Sequence, residues 1–170
     1  GPLHRALLLD GVVMTRATGA GSLRRPVLVS LGLHPDGKKE VIDFRLAPGE
    51  SQAAWEALLN DLYRRGLKGE HLKLIVVDGG PGLLAALPLC YPHVPVQRCW
   101  AHKIRNVLGK VKENDADTVK EDLHRIMYAK NRTQARSAAL RFVSNWEEDY
   151  PKAVACLRDD LDDLDRKSVV

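Results

Sequence analysis

With 170 residues, 45% hydrophobic and 28% charged, the chain has the apolar content of a soluble globular domain and the length for one domain with a subdomain. No apolar run approaches the ~20 residues of a membrane span, and three cysteines with no signal peptide argue against a disulfide framework and for a reducing, cytoplasmic setting. A net charge of +4 and a pI near 9.0 lean towards a polyanionic partner without requiring one.

The first apolar run, Ala6-Leu7-Leu8-Leu9-Asp10-Gly11-Val12-Val13, reads as a strand with an acid in its middle. An isolated charge there is costly to bury unless a metal ion or a positive group compensates it. Residues 15–22 are polar and glycine-rich and predict a flexible turn. Residues 26–33 read as a second strand, His34-Pro35-Asp36-Gly37 as a turn, and residues 40–46 as a third strand, completing an antiparallel meander. Ser51 is a good N-cap for a helix whose Trp55, Leu58, Leu59 and Leu62 fall at helical spacing. Arg64-Arg65-Gly66 ends it with cations and a C-terminal glycine.

Residues 72–77 form a β-branched run that predicts a buried fourth strand. It stops at Asp78, and Gly79-Gly80-Pro81-Gly82 turns the chain into a helix expected to end by Pro88. Two readings of Asp78 stand side by side on this stretch: a cap for the next helix, or a carboxylate presented at the carboxyl edge of a sheet, where ligands gather. If the first and fourth strands are neighbours, Asp10 and Asp78 make a site for a hard divalent cation such as Mg²⁺. A short fifth strand is predicted at 94–97. A helix then opens in Gln97-Arg98-Cys99-Trp100-Ala101-His102-Lys103-Ile104-Arg105-Asn106. From 98 to 112 the chain carries Arg98, Lys103, Arg105, Lys110 and Lys112 and no acid, which suits a phosphodiester backbone and equally a solvated helix face. Beyond Asp115 the pattern is helical throughout, with Thr133 a possible cap and Pro151 opening a last helix.

The strings LLLDGV, GLHPDGKKEVIDFRLAPGESQAAWEALLNDLYRRGLKG, LIVVDGGPGLLAAL and VQRCWAHKIRNVLGKV follow one another in order. Together they resemble the catalytic region of bacterial insertion-sequence transposases related to the eukaryotic Mutator transposases. The resemblance implies an α/β, ribonuclease H-like mixed sheet of three antiparallel strands and then helix–strand units, followed by an all-helical insertion. It places the catalytic core at residues 3–113 and the insertion at 114–170. It also implies a DDE site that cuts and joins DNA using two Mg²⁺ or Mn²⁺ ions, with Asp10 the first acid and Asp78 the second, both catalytic and metal-binding. Arg98, Cys99, His102, Lys103, Arg105 and Asn106 fall in the family's basic block and are expected to bind DNA or to lie beside the active site. Expected partners are transposon ends, target DNA and further copies of the transposase, in a bacterial cytoplasm and on the nucleoid when DNA is bound.

One departure bears on activity. The family's third acid, a glutamate in a block resembling TTNxxE, has no counterpart among these 170 residues. The chain therefore reads as a core fragment, weak in metal binding and inactive alone; the alternative is an inactive remnant that binds DNA or full-length transposase. Glu50 matches an acidic position of the family but reads here as an acid favouring a helix N-terminus, outside the catalytic set. A different class of reading is a zinc-dependent binding module, from Cys90-x-x-His93 followed by Cys99-x-x-His102. Only five residues separate those pairs, well short of the finger-like ~12, so zinc is not expected. Cys99 then packs as a small apolar residue and His102 forms a hydrogen bond.

Overall fold

The structure is a computed structural model that describes the backbone of residues 4–167 and the side chains of residues 4–159. The chain forms two compact units that divide between Arg98 and Cys99.

The first unit contains β1 (Ala6–Thr18), β2 (Gly21–Leu33), β3 (Lys39–Leu46), α1 (Gln52–Arg64), β4 (Leu74–Val77), α2 (Pro81–Cys90) and β5 (Val96–Arg98). The sheet order is β3-β2-β1-β4-β5. The first three strands pair antiparallel, and β4 joins β1, and β5 joins β4, in parallel. This is the ribonuclease H-like arrangement that the sequence resemblance implies. Alternation along the strands sends Leu7, Leu9, Leu28, Ile75 and Val77 to one face. There they meet Trp55, Leu58, Leu59 and Leu62 of α1 and Leu83, Ala86 and Leu87 of α2. The start of α1 is fixed as expected: the Ser51 hydroxyl oxygen accepts from the Ala54 N–H at 3.2 Å. Its end is marked by Gly66, whose φ of +109° is a left-handed conformation that glycine adopts without strain.

Two local expectations are corrected in this unit. Residues 15–22 are not a flexible turn: β1 and β2 continue as a two-stranded ribbon as far as the pair Thr18 and Gly21, around Gly19-Ala20. Ladder hydrogen bonds need no buried face, so the polar composition that suggested a loop does not prevent pairing. The Thr18 hydroxyl donates to the Gly21 carbonyl at 2.9 Å and helps close the turn. The second correction is α2, which runs through Pro88 to Cys90. A proline so near the end deletes one helical hydrogen bond, and the Leu87 carbonyl still accepts from the Tyr91 N–H at 2.8 Å.

The second unit holds α3 (Trp100–Leu108), α4 (Glu113–Met127), α5 (Arg132–Trp146) and α6 (Pro151–Lys167). Its core joins Val107 to Val119, Leu123, Phe142 and Val154, with Trp100 and Ile104 packed against it. The helix that carries the basic block therefore groups with the later helices. The cap of α5 is Asn131, not Thr133: the Asn131 side chain accepts from the Gln134 N–H at 2.9 Å. Buried Asp122 is held by Arg125 Nη1 at 2.6 Å and by Trp146 Nε1 at 2.9 Å, so its charge is compensated. Among the described residues, no helix is long and apolar enough to cross a membrane.

Candidate active site

The parallel register of β1 and β4 pairs Leu9 with Val77. The next residue in each case is an aspartate, so Asp10, inside β1, lies beside Asp78, the residue that follows β4. The helix-cap reading of Asp78 is not what the local geometry shows. The N-cap of α2 is Gly80, with Pro81 at the first helical position. Asp78 instead closes a small turn in which its Oδ1 accepts from the Gly80 N–H at 3.0 Å. Gly79, at φ +98°, makes the reversal possible.

Two further side chains reach this corner. Arg98 ends β5, in register with Val77, and its guanidinium lies across Gly79, where a β-carbon would collide with it. Glu50 arrives from the segment between β3 and α1. Its carboxylate lies against the backbone of Gly11, again where a β-carbon would collide. A β-carbon at Gly80 would lie 3.6 Å from Asp78 Oδ1 and 3.9 Å from Glu50 Oε2, which puts both carboxylates beside one glycine. Burial pushes the Glu50 carboxyl above the usual carboxylate range, and the negative charges of Asp78 and then Asp10 push it the same way. Three acids and one arginine thus gather at the carboxyl end of β4, and oxygen donors of this kind suit Mg²⁺ or Mn²⁺.

A family model described as "Transposase, Mutator family" matches residues 2–165. The chain belongs to the Mutator family of transposases. Among its relatives, the transposase for insertion sequence element IST2 of Acidithiobacillus ferrooxidans is 40% identical over 138 residues, covering 81% of this chain and 46% of the relative. The transposase for IS905 of Lactococcus lactis subsp. lactis is 32% identical over 154 residues, covering 91% and 39%. This Mutator-family chain therefore spans less than half the length of these relatives. A solved structure of the HTLV-2 integrase catalytic core domain in complex with magnesium aligns at 18% identity and a TM-score of 0.32, covering 78% of this chain and 92% of that one.

The structure gathers Asp10, Asp78 and Arg98 in the first unit and places Cys99, His102, Lys103, Arg105 and Asn106 in the second. Cys99 is the N-cap residue of α3, and half-buried His102 follows one turn later. Arg105 and Asn106 are exposed. Lys103 is a correction to the expected basic surface. It is buried, and its Nζ donates to the Cys156 carbonyl at 2.7 Å, so its charge serves the helical core. Cys90 and His93 fall in the first unit and Cys99 and His102 in the second, and the Cys90 thiol donates to Asn60 Oδ1 at 3.7 Å.

Glu50 is the residue that sequence reasoning set aside. Its signal was its match to an acidic position in the family, outweighed by a local preference for acids near helix starts. Its charge has a measurable consequence. The folded state binds the Glu50 proton more tightly than the unfolded chain does, so ionised Glu50 costs stability above its folded pKa, and that cost fades as pH falls through it. Glu50→Gln is therefore expected to stabilise the metal-free protein at neutral pH and to be neutral once the acid is protonated. Solvent screening at a partly exposed group limits the gain to under about 1 kcal/mol. Urea denaturation of both forms at pH 7.5 and below pH 4 checks this; a variant less stable at pH 7.5 contradicts it.

Proposed function

We propose that this chain carries the metal-holding part of a DDE transposase active site, which cuts and joins DNA by phosphoryl transfer. The observation that supports it most directly is the Leu9–Val77 pair, after which Asp10 of β1 and Asp78 at the end of β4 come next in each chain segment. Asp10 and Asp78 would hold Mg²⁺ or Mn²⁺ through carboxylate oxygens. When bound, such ions neutralise charge on the phosphoryl oxygens and make a water or hydroxyl nucleophilic at neutral pH. Glu50 adds a third negative charge beside the pair and raises the local affinity for cations. Arg98, held over the Gly79 turn, is suited to a phosphate oxygen and balances part of the carboxylate charge. The exposed cations Arg105, Lys110 and Lys112, with Asn106, are assigned to contacts with the DNA backbone, which fix position without reading sequence. Cys99 and His102 are assigned to supporting the start of that helix. Self-association in a transposition complex belongs to the same proposal.

Incubation with duplex DNA and Mn²⁺ tests the reading. Strand nicking that Asp10→Asn abolishes supports a working metal site. DNA retention without nicking favours an inactive remnant. A chain that neither retains nor nicks DNA overturns both forms of the proposal.

A further inference from the structure

The opposite end of the same sheet holds a second cluster of metal-ligating atoms that the transposase reading does not use. His4 precedes β1, His34 follows β2, and Glu40 is the second residue of β3. The antiparallel register brings them together, because Ala6 pairs with Leu33 and Gly32 pairs with Glu40. His4 Nε2 lies 2.9 Å from Glu40 Oε2, and His34 Nε2 lies 3.0 Å from the same oxygen. The two imidazole centroids are 4.6 Å apart, and one ligand atom from each of the three residues lies within 4.8 Å of the others. Along β1 the cluster is six residues from Asp10, or ~20 Å at the rise of a strand, so the two corners are chemically separate.

We propose that His4, His34 and Glu40 form a binding site for a first-row transition-metal ion, with Zn²⁺ the expected occupant. The donor set decides the class of ion. Two imidazole nitrogens and one carboxylate oxygen suit Zn²⁺ and its neighbours, whereas Mg²⁺ and Ca²⁺ prefer all-oxygen shells. The spacing also fits. Tetrahedral bonds of ~2.05 Å put ligand atoms ~3.3 Å apart, so the two 2.9–3.0 Å separations need to open by only a few tenths of an ångström.

The rings are held in place before any ion arrives. The His4 ring lies on the backbone of Gly32, where a β-carbon would collide with it. The His4 and His34 side chains are only 12% and 18% exposed, while that of Glu40 is 51% exposed. The imidazoles thus form the inner wall, and the carboxylate side opens to water, leaving room for a solvent ligand in the fourth position. An ion there would clip the segment before β1 to the β2–β3 turn and stabilise the sheet edge by linkage.

Calorimetric titration of the metal-free chain with Zn²⁺ is the test, paired with visible spectra of the Co²⁺ form. The expected result is one ion per chain, affinity at least tenfold weaker in His34→Ala and in His4→Ala, and Co²⁺ bands without a thiolate charge-transfer component. Zn²⁺ should also raise the melting temperature of the wild type but not of His34→Gln, a variant that keeps the size and polarity of the side chain. Absence of binding, binding that survives either histidine substitution, or a thiolate band pointing to the cysteines would overturn the assignment.

Discussion

Asp78→Asn is expected to weaken Mn²⁺ binding at the proposed active site at least a hundredfold while leaving the fold intact. Asparagine keeps the shape of the side chain and an oxygen able to accept from the Gly80 N–H, so the turn that follows β4 retains its closing bond. What is lost is one negative charge and one hard anionic ligand, and Mg²⁺ and Mn²⁺ depend on both. A hundredfold change corresponds to about 2.7 kcal/mol, modest for one of the few anionic ligands in a site. Removing the charge also relieves Glu50, whose carboxyl is pushed upward partly by Asp78. The metal-free variant should therefore melt at or slightly above the wild-type temperature. Calorimetric Mn²⁺ titrations and thermal melts of the two proteins separate the effects. Unchanged Mn²⁺ affinity in the variant would falsify Asp78 as a ligand, and a collapsed melting temperature would assign it a structural role.

The second large effect is expected at Gly82, the second residue of α2. Helix propensity alone favours alanine there by roughly 0.5–1 kcal/mol. The packing argues the other way. A β-carbon on residue 82 would run into the Glu50 carbonyl oxygen and lie 2.8 Å from Ser51 C and 2.9 Å from Gln52 N. All three are backbone atoms, so no side chain can rotate away, and α2 or the start of α1 must shift. Overpacking of this kind costs ~1–3 kcal/mol and occasionally more, so a net loss of about 1 kcal/mol or more is expected for Gly82→Ala. Because the same contact seats Glu50 beside Asp78, the substitution should also weaken Mn²⁺ binding. Gly49→Ala is the matched control, with no atom within 4 Å of its β-carbon; its stability should stay within ~0.5 kcal/mol of wild type. Urea denaturation of the three proteins decides the point. Equal stability of Gly82→Ala and Gly49→Ala would mean that the close approach of α2 to the Glu50 segment does not constrain the fold.

Much of the site was legible because its signals are local. A β-branched run ending on Asp78 and an apolar run interrupted by Asp10 both declare an acid at a strand. The Ser51 cap, the buried face of α1 and the left-handed Gly66 follow from spacing and residue type, and they stand where they were expected. The family strings linked these pieces in one order. Local signals misled where the deciding partner is distant in sequence. Residues 15–22 look like a loop until β1 and β2 are seen to pair along their whole length. Lys103 looks like part of a basic face until the Cys156 carbonyl, 53 residues later, is found to accept a hydrogen bond from its ammonium.

Residue order marks the candidates: two aspartates in or just after apolar strands, a basic block, and the helical segments after it. Which of them meet depends on long-range pairing. Asp10 and Asp78 are neighbours because β4 pairs in parallel with β1, a choice made by burying Leu7, Leu9, Ile75 and Val77 together under two helices. Glu50 joins them because Gly11 and Gly82 leave space where a β-carbon would collide with the Glu50 segment. Such proximity depends on close packing between segments far apart in the chain, and hydrophobic periodicity reports only which face of each segment turns inward.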